Sequence, residues 1–365
     1  MPDVDSGMKS VSGFVFKKII EEKLFISISL GFIITCLRLK RFPLFTYDDF
    51  KVLYGLFIFM VIIKGLEHSN FFSCVSQMLQ NGSRWLGIKL LCSTAILAMF
   101  VTNDVALIVI IPLTLAVGME NKGILVILEA ITANIASSLA PFGNPQNMFI
   151  FFHYKVPAWA FIKTISPLVF ILFGVVLIVG FMRIGNIKSL RALEKEKLRL
   201  GKKSFIYTGL FLLFICSILR LVPLEWGLLA ILYAVFFDRE SLRIDYFLLA
   251  TFLVFFGFTD NLRTVINISF HNPLSLFFNS IILSQVISNV PAALLLADFT
   301  NDWRTLLWGV SVGGFGGLFG SMSTYIAYRL YTKKVRSRSF LFRLTFLNVL
   351  FLFIGVLVYL MLRVI

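Results

Sequence analysis

The sequence predicts an all-α polytopic membrane protein made of two inverted repeats, each with a re-entrant helical hairpin and a discontinuous transmembrane helix. About nine to ten crossings accompany the two hairpins. Three observations predict this. The residues are 58% hydrophobic and 15% charged, with 41 Phe, so a soluble domain would have too little polar surface to cover itself. Apolar stretches near ~20 residues alternate with charged loops, the mark of repeated crossings. Two stretches, TNDVALIVIIPL (102–113) and SNVPAALLL (288–296), set a small polar pair inside an apolar run. Each precedes a glycine- and serine-rich stretch, SSLAPFGNPQN (137–147) and GGFGGLFGSMST (313–324). Polar, helix-breaking sequence at membrane depth survives only where it is buried in protein or lines a cavity.

Taken in order, the first repeat (1–200) holds helices at 24–38 and 50–66, a hairpin at 85–118, a broken helix at 121–153, a helix at 158–182 and a basic loop at 183–203. Met1 to Glu22 is polar and no small-residue cleavage site follows Leu24–Leu37, so that run is expected to stay as a membrane segment. The hairpin's first arm, Leu86 to Val101, would span about 24 Å, short of a ~30 Å hydrocarbon core. Pro141 and Pro145 flank Gly143, so no regular helix passes through 141–145.

The second repeat (204–365) holds helices at 204–221, 222–237 and 245–260, a hairpin at 273–298, a broken helix at 303–328 and a helix at 343–363. Pro291, just after Ser288-Asn289, prevents a continuous helix there. Gly309 to Gly320 reads as a break in preference to a close packing face, because Gly313-Gly314 and Gly316-Gly317 disfavour helix. The two halves echo each other faintly. Phe142-Gly143-Asn144 with Asn147 matches Phe319-Gly320-Ser321 with Thr324, and Asp48-Asp49-Phe50 resembles Asp245-Tyr246-Phe247. The spacing is unequal: Asn103 precedes Gly143 by 40 residues, Asn289 precedes Gly320 by 31.

The net charge of +15 does not point to nucleic acid. Arg183 to Lys203 holds eight Lys/Arg against Glu194 and Glu196, and Arg329 to Arg343 holds six and no acid. Short basic loops beside membrane helices stay cytoplasmic. With both loops inside, the crossings between them are even only if 273–298 enters and leaves by one face. The second hairpin then opens outside and the first opens to the cytoplasm. The same count puts the amino terminus inside, in the plasma or inner membrane, and leaves Arg38, Lys40 and Arg41 outside, against the charge rule.

A hairpin tip presents free helix ends, whose carbonyls can coordinate a cation and whose amides can bind an anion. Two tips meeting two unwound loops near the midplane make a cage for small cations beside an anion. The cation candidates are Thr102, Asn103, Ser138, Gly143, Asn144, Ser288, Asn289, Gly317, Gly320 and Ser321. The solute candidates are Thr102, Asn103, Asp104, Asn144, Asn147, Ser288, Asn289 and Thr324. Asp104 would cost about 2.5–3.5 kcal/mol at a bilayer centre, so it faces protein or water. It is either a proton carrier, a compensating charge or the cap of a helix starting at Val105. Glu129 is a second proton-relay candidate. Lys64, Glu67, Lys89, Asp260 and Asp298 lie near predicted ends, where snorkelling is expected.

Other chemistry has little support. Cys36, Cys74, Cys92 and Cys216 have no CxxC spacing, and His68, His153 and His271 are scattered singly, so no metal site is predicted. No GxGD pair or GxSxG elbow suggests an enzyme, and no cofactor is expected beyond a coupling ion.

At these residues the chain resembles the ion transporter superfamily, which includes arsenite permeases, citrate transporters, sodium/proton antiporters and divalent-anion/sodium symporters. TNDVALIVIIPL is similar to the first hairpin of the arsenite-permease and citrate-transporter-like branch, ISNVPAALLL (287–296) to its second, and SLAPFGNPQN (138–147) to its unwound loop. The resemblance implies an inverted-repeat fold, often homodimeric, with scaffold and transport domains and an elevator-like motion. In sodium-coupled members each tip carries Ser-Asn-Thr; here those places hold Thr102-Asn103-Asp104 and Ser288-Asn289-Val290. The third position departs both times, and Asp104 would repel a dianion. The function implied is secondary active transport of a small anion, such as an oxyanion, carboxylate or arsenite-like solute, coupled to sodium or protons. The alternatives are a sodium/proton antiporter using Asp104 and a non-transporting membrane scaffold.

Overall fold

The computed structural model describes residues 25–72, 74, 85–116, 122–184, 200–265, 270–335, 337 and 339–364. Most of the basic loop at 183–203 and the whole polar amino terminus lie outside the described residues. Among the described residues every regular element is helical. They are α1 (Phe25–Leu39), α2 (Tyr47–His68), α3 (Leu86–Phe100), α4 (Asn103–Ala116), α5 (Lys122–Ser137), α6 (Pro145–His153), α7 (Ala158–Ile184) and α8 (Lys202–Ile218). There follow α9 (Leu228–Phe237), α10 (Tyr246–Val265), α11 (Pro273–Ile287), α12 (Asn289–Ala297), α13 (Trp303–Gly313), α14 (Met322–Lys334) and α15 (Phe340–Val364).

Large apolar side chains lie on the outside as well as in the core, and a set of polar residues is buried among them. Phe170, Ile178, Phe181 and Met182 of α7 and Phe342, Phe346 and Phe353 of α15 are exposed. Asn103, Glu129, Asn134, Asn144, Asn147 and Asn289 are buried. Exposed apolar rods, with polar groups withdrawn into the protein, are what a lipid solvent selects. The stretches Ala158–Ile184, Arg239–Val265 and Phe340–Leu362 are long and apolar enough to cross a membrane.

Two rods form the centre. Every residue of α5 from Leu125 to Ser137 is buried, as is every residue of α13 from Thr305 to Gly313. Against α5 pack α3, α4 and α14; against α13 pack α11 and α12. Gly309 and Gly313 are helical, and a Cβ on either would sit 2.5 Å from Ser280 or Ser284 side-chain atoms of α11. The glycine-rich run therefore divides in two: its first part is a close packing face of the kind small residues make in membranes, and the chain leaves helix only after Gly313.

Polar contacts gather at the two ends of α2. At its start, Lys155 Nζ lies 2.8 Å from Asp48 and Arg220 Nη2 donates to the Lys155 carbonyl at 2.7 Å. Tyr154, next to Lys155, donates its hydroxyl to the carbonyls of Ala297 and Thr300, both at 2.9 Å. At the end of α2, Ser204 Oγ donates to the Ser69 carbonyl at 2.9 Å, and His68 faces Glu240 at 3.7 Å. Asp260 was expected to snorkel; it instead pairs with Arg41 at 2.5 Å and accepts the Leu44 amide at 3.0 Å. It fastens the α1–α2 loop to α10. Lys64 and Glu67 pair with each other at 2.9 Å.

Candidate functional site

Two helix pairs end in polar tips. In the first, α3 and α4 pack side by side and join through Val101-Thr102. Thr102 Oγ1 accepts the Val105 amide at 3.3 Å and Asn103 Oδ1 accepts the Asp104 amide at 2.9 Å. The helix thus starts at Asn103 and Thr102 caps it, which frees Asp104 from the capping role considered for it. In the second pair, α11 and α12 pack together, and the Phe270 amide donates to the Phe299 carbonyl at 2.9 Å, bringing the start of one beside the end of the other. Their junction is Ser288, with φ +74° and ψ 158°. Pro291 falls in the first turn of α12, where a missing N–H loses no helical bond.

Two breaks face these tips. Between α5 and α6 the chain runs irregularly through Ser138–Asn144. Asn144 Oδ1 accepts the Asn147 amide at 2.9 Å, and Asn147 Nδ2 reaches back to the carbonyls of Ser137, Ser138 and Ala140 at 3.2, 3.1 and 2.9 Å. A Cβ on Gly143 would lie 2.0 Å from the Ser137 carbonyl oxygen, so the loop closes only around glycine. Between α13 and α14, Gln285 of α11 grips the chain. Its Nε2 donates to the carbonyls of Gly313 and Phe315 at 2.7 and 2.8 Å, and its Oε1 accepts the Gly317 amide at 2.9 Å. The Asn289 amide donates to the Gly320 carbonyl at 3.2 Å.

Tips and breaks meet around one cavity of about 380 Å³. Asn103, Asp104, Asn144, Ser288, Asn289 and Ser321 line it, with Ser27 of α1 and Asp245 and Thr251 near the start of α10 across from them. Among the described lining residues there is no Lys, Arg or His. Its polar groups are neutral oxygens and amides with the carboxyl groups of Asp104 and Asp245, set in a wall that is otherwise largely apolar, with Leu248, Phe252, Val286 and Phe319 among its members.

The remaining candidates lie behind this surface. Thr102 caps α4. Ser138 Oγ turns inward to the Asn134 carbonyl at 2.9 Å. Gly143 and Asn147 build the first break, and Gly317 and Gly320 the second. Thr324 is buried in the first turn of α14. Glu129 is fully buried in α5, where its carboxyl accepts the Thr114 hydroxyl of α4, and it does not line the cavity.

Besides Ser27, Asp245 and Thr251 of the lining, sequence reasoning missed two residues that stand behind it. Gln285 is one. The other is Asn134, whose Oδ1 accepts Asn103 Nδ2 at 3.1 Å, Ser321 Oγ at 2.8 Å and Ser323 Oγ at 2.6 Å. Each is a lone amide in an apolar helix, and its partners are distant in sequence. Only the recurrence of polar residues within 129–138 signalled that α5 was unusual.

The profile of a family described as citrate transporter matches residues 15–313. The chain belongs to that family. It is therefore a multi-pass membrane transporter, and the scaffold alternative loses its footing. An uncharacterized transporter of Methanocaldococcus jannaschii is 32% identical over 326 residues, covering 86% of this chain and 90% of that protein. The inner membrane protein YbiR of Escherichia coli is 30% identical over 291 residues, 74% of this chain and 77% of its own length. A silicon efflux transporter of Oryza sativa subsp. japonica is 32% identical over 126 residues, 33% of this chain and 26% of that one.

Proposed function

We propose that this citrate-transporter-family protein is a secondary active transporter of a small anion or neutral oxyacid, driven by sodium or protons through an elevator-type alternating motion. The observation that carries the reading is the convergence of both tips and both breaks on one cavity. On this reading 1–200 and 204–365 are inverted repeats, and the helix pairs within 85–118 and 273–298 are re-entrant. The Phe270–Phe299 bond supports a common entry and exit for the second. The crossing count that makes the pairs open oppositely also sets the α1–α2 loop on the side where α10 ends, and the Arg41–Asp260 pair agrees with it. The basic segments 183–203 and 329–343 are then cytoplasmic, and the working form is a homodimer.

The lining narrows the solute. Neutral donors from Asn103, Ser288, Asn289 and Ser321 suit a singly charged or hydroxyl-rich solute better than citrate. A relative named for silicon efflux points the same way. Sodium would find its oxygens on the same side chains, while Asn147 and Gln285 already occupy carbonyls of the breaks.

Uptake into proteoliposomes of arsenite, phosphate, sulfate and citrate, each with a sodium gradient, a proton gradient or neither, tests this. Gradient-dependent uptake of a neutral or singly charged species is expected. Uptake of every solute that ignores both gradients would sink the proposal. A second reading, sodium/proton antiport, is favoured by the carboxylate of Asp104 at the cavity wall. It requires that Asp104→Asn abolish pH-dependent sodium efflux, and unaltered efflux excludes it.

A further inference from the structure

We propose that Asn134 is a positioning residue that joins the tip of the first helix pair to the second break, so that these two walls of the cavity shift together. The inference deepens the transporter reading above, but the joint is measurable without any transported solute.

Asn103 and Ser321 both line the cavity, and they come from opposite halves of the chain. Asn134 does not line it. It stands behind both, buried in α5, and its one carboxamide oxygen accepts from Asn103 Nδ2, Ser321 Oγ and Ser323 Oγ. Its own Nδ2 lies 3.5 Å from the Gly314 carbonyl, at the opposite end of the same break. An amide oxygen offers two lone pairs, so three converging donors saturate it. Asn134 is thus a fastener rather than a ligand for solute or ion. Ser321 and Ser323 also lie 2.7 Å apart, so their two hydroxyl protons are shared between the Asn134 oxygen and each other.

The position of the joint has a mechanical meaning. Asn103 is fixed to its own tip by accepting the Asp104 amide. A displacement of that tip therefore reaches Ser321 through a single side chain, with no flexible segment between. The first break is held differently, by Asn147 from the first turn of the helix that follows it.

Hydrogen–deuterium exchange of the full chain in lipid nanodiscs tests the joint, comparing wild type with Asn134→Ala and Asn134→Asp. Alanine removes both the acceptor oxygen and the amide facing Gly314; aspartate keeps the acceptor oxygen and loses only the longer contact to Gly314. In Asn134→Ala, amides of 102–106 and 314–323 are expected to exchange about tenfold faster together, with 137–147 within about twofold of wild type. Asn134→Asp is expected to restore slow exchange in both segments. The idea is overturned if 314–323 keeps its wild-type rate in Asn134→Ala, or if 137–147 rises equally, which would mark a general loosening. Should Asn134→Ala fail to accumulate, Ser321→Ala with Ser323→Ala cuts the same joint from the other side. Faster exchange at 102–106 then supports the joint and an unchanged rate refutes it. A wild-type chain that moves no solute in liposomes would defeat the transporter reading without altering these exchange patterns.

Discussion

The two breaks are alike in sequence and differ in what holds them. The first is closed by its own flanking turns: Asn147, in the first turn of α6 and ten residues beyond Ser137, ties one carbonyl at the end of α5 and two in the loop, and Gly143 presses onto the Ser137 backbone. The second is held from outside, by Gln285 of α11, by the Asn289 amide and by Asn134 of α5. A loop that satisfies its own groups keeps its shape whatever its neighbours do. A loop whose hydrogen bonds belong to two helices changes when either moves. The first break is therefore the fixed part of the cavity wall, and the second is the part that responds.

Substitutions on each side separate the two kinds of support. Gly143→Ala should have the largest effect, about 3 kcal/mol, because the new Cβ meets backbone that cannot yield; thermal unfolding of the purified protein reads it. Asn147→Ala comes next. It strands buried carbonyls and should cost about 2 kcal/mol, with faster exchange confined to 137–147. Gln285→Ala should cost a similar amount or slightly less, but its faster exchange should spread from 313–317 into α11 and α12. Exchange confined to 313–317 would contradict the outside bracing. Gly317→Ala should lie within about 0.5 kcal/mol of wild type, since the nearest atom to its Cβ is Gln285 Oε1 at 3.7 Å.

The smallest effect lies away from both breaks and serves as their control. Burial pushes the Asp238 carboxyl up, but hydrogen bonds from Lys203, Ser241 and Tyr207 outweigh it and hold the group below its usual range. The bond to Asp238 in turn raises Lys203. The carboxylate's contribution is present above its unfolded value near ~4 and is lost as pH falls through the lower folded value. The lysine's is present below about 10.4 and is lost as pH rises through its higher folded value. Asp238→Asn should therefore flatten the acid limb of a stability-against-pH curve and leave exchange at both breaks unchanged.

Much of this was legible in the chain. Apolar runs announced the helices, and a polar pair inside such a run announced each tip, because lipid tolerates neither without a reason. The breaks were legible through Pro141, Pro145 and the paired glycines. What was not legible was who holds whom. Asn147 reads like a ligand beside Asn144, yet its amide reaches backward to carbonyls seven to ten residues upstream. Asn134 and Gln285 are lone amides in apolar sequence, and their partners lie up to 189 residues away. Those pairings depend on how α5, α11, α13 and α14 pack, which periodicity does not encode.

Ser288 carries one more implication. At φ +74° and ψ 158° its backbone sits where glycine is at ease and a side chain adds about 1–3 kcal/mol. A hydroxyl at the tip of the second helix pair therefore comes with a backbone cost that glycine would avoid.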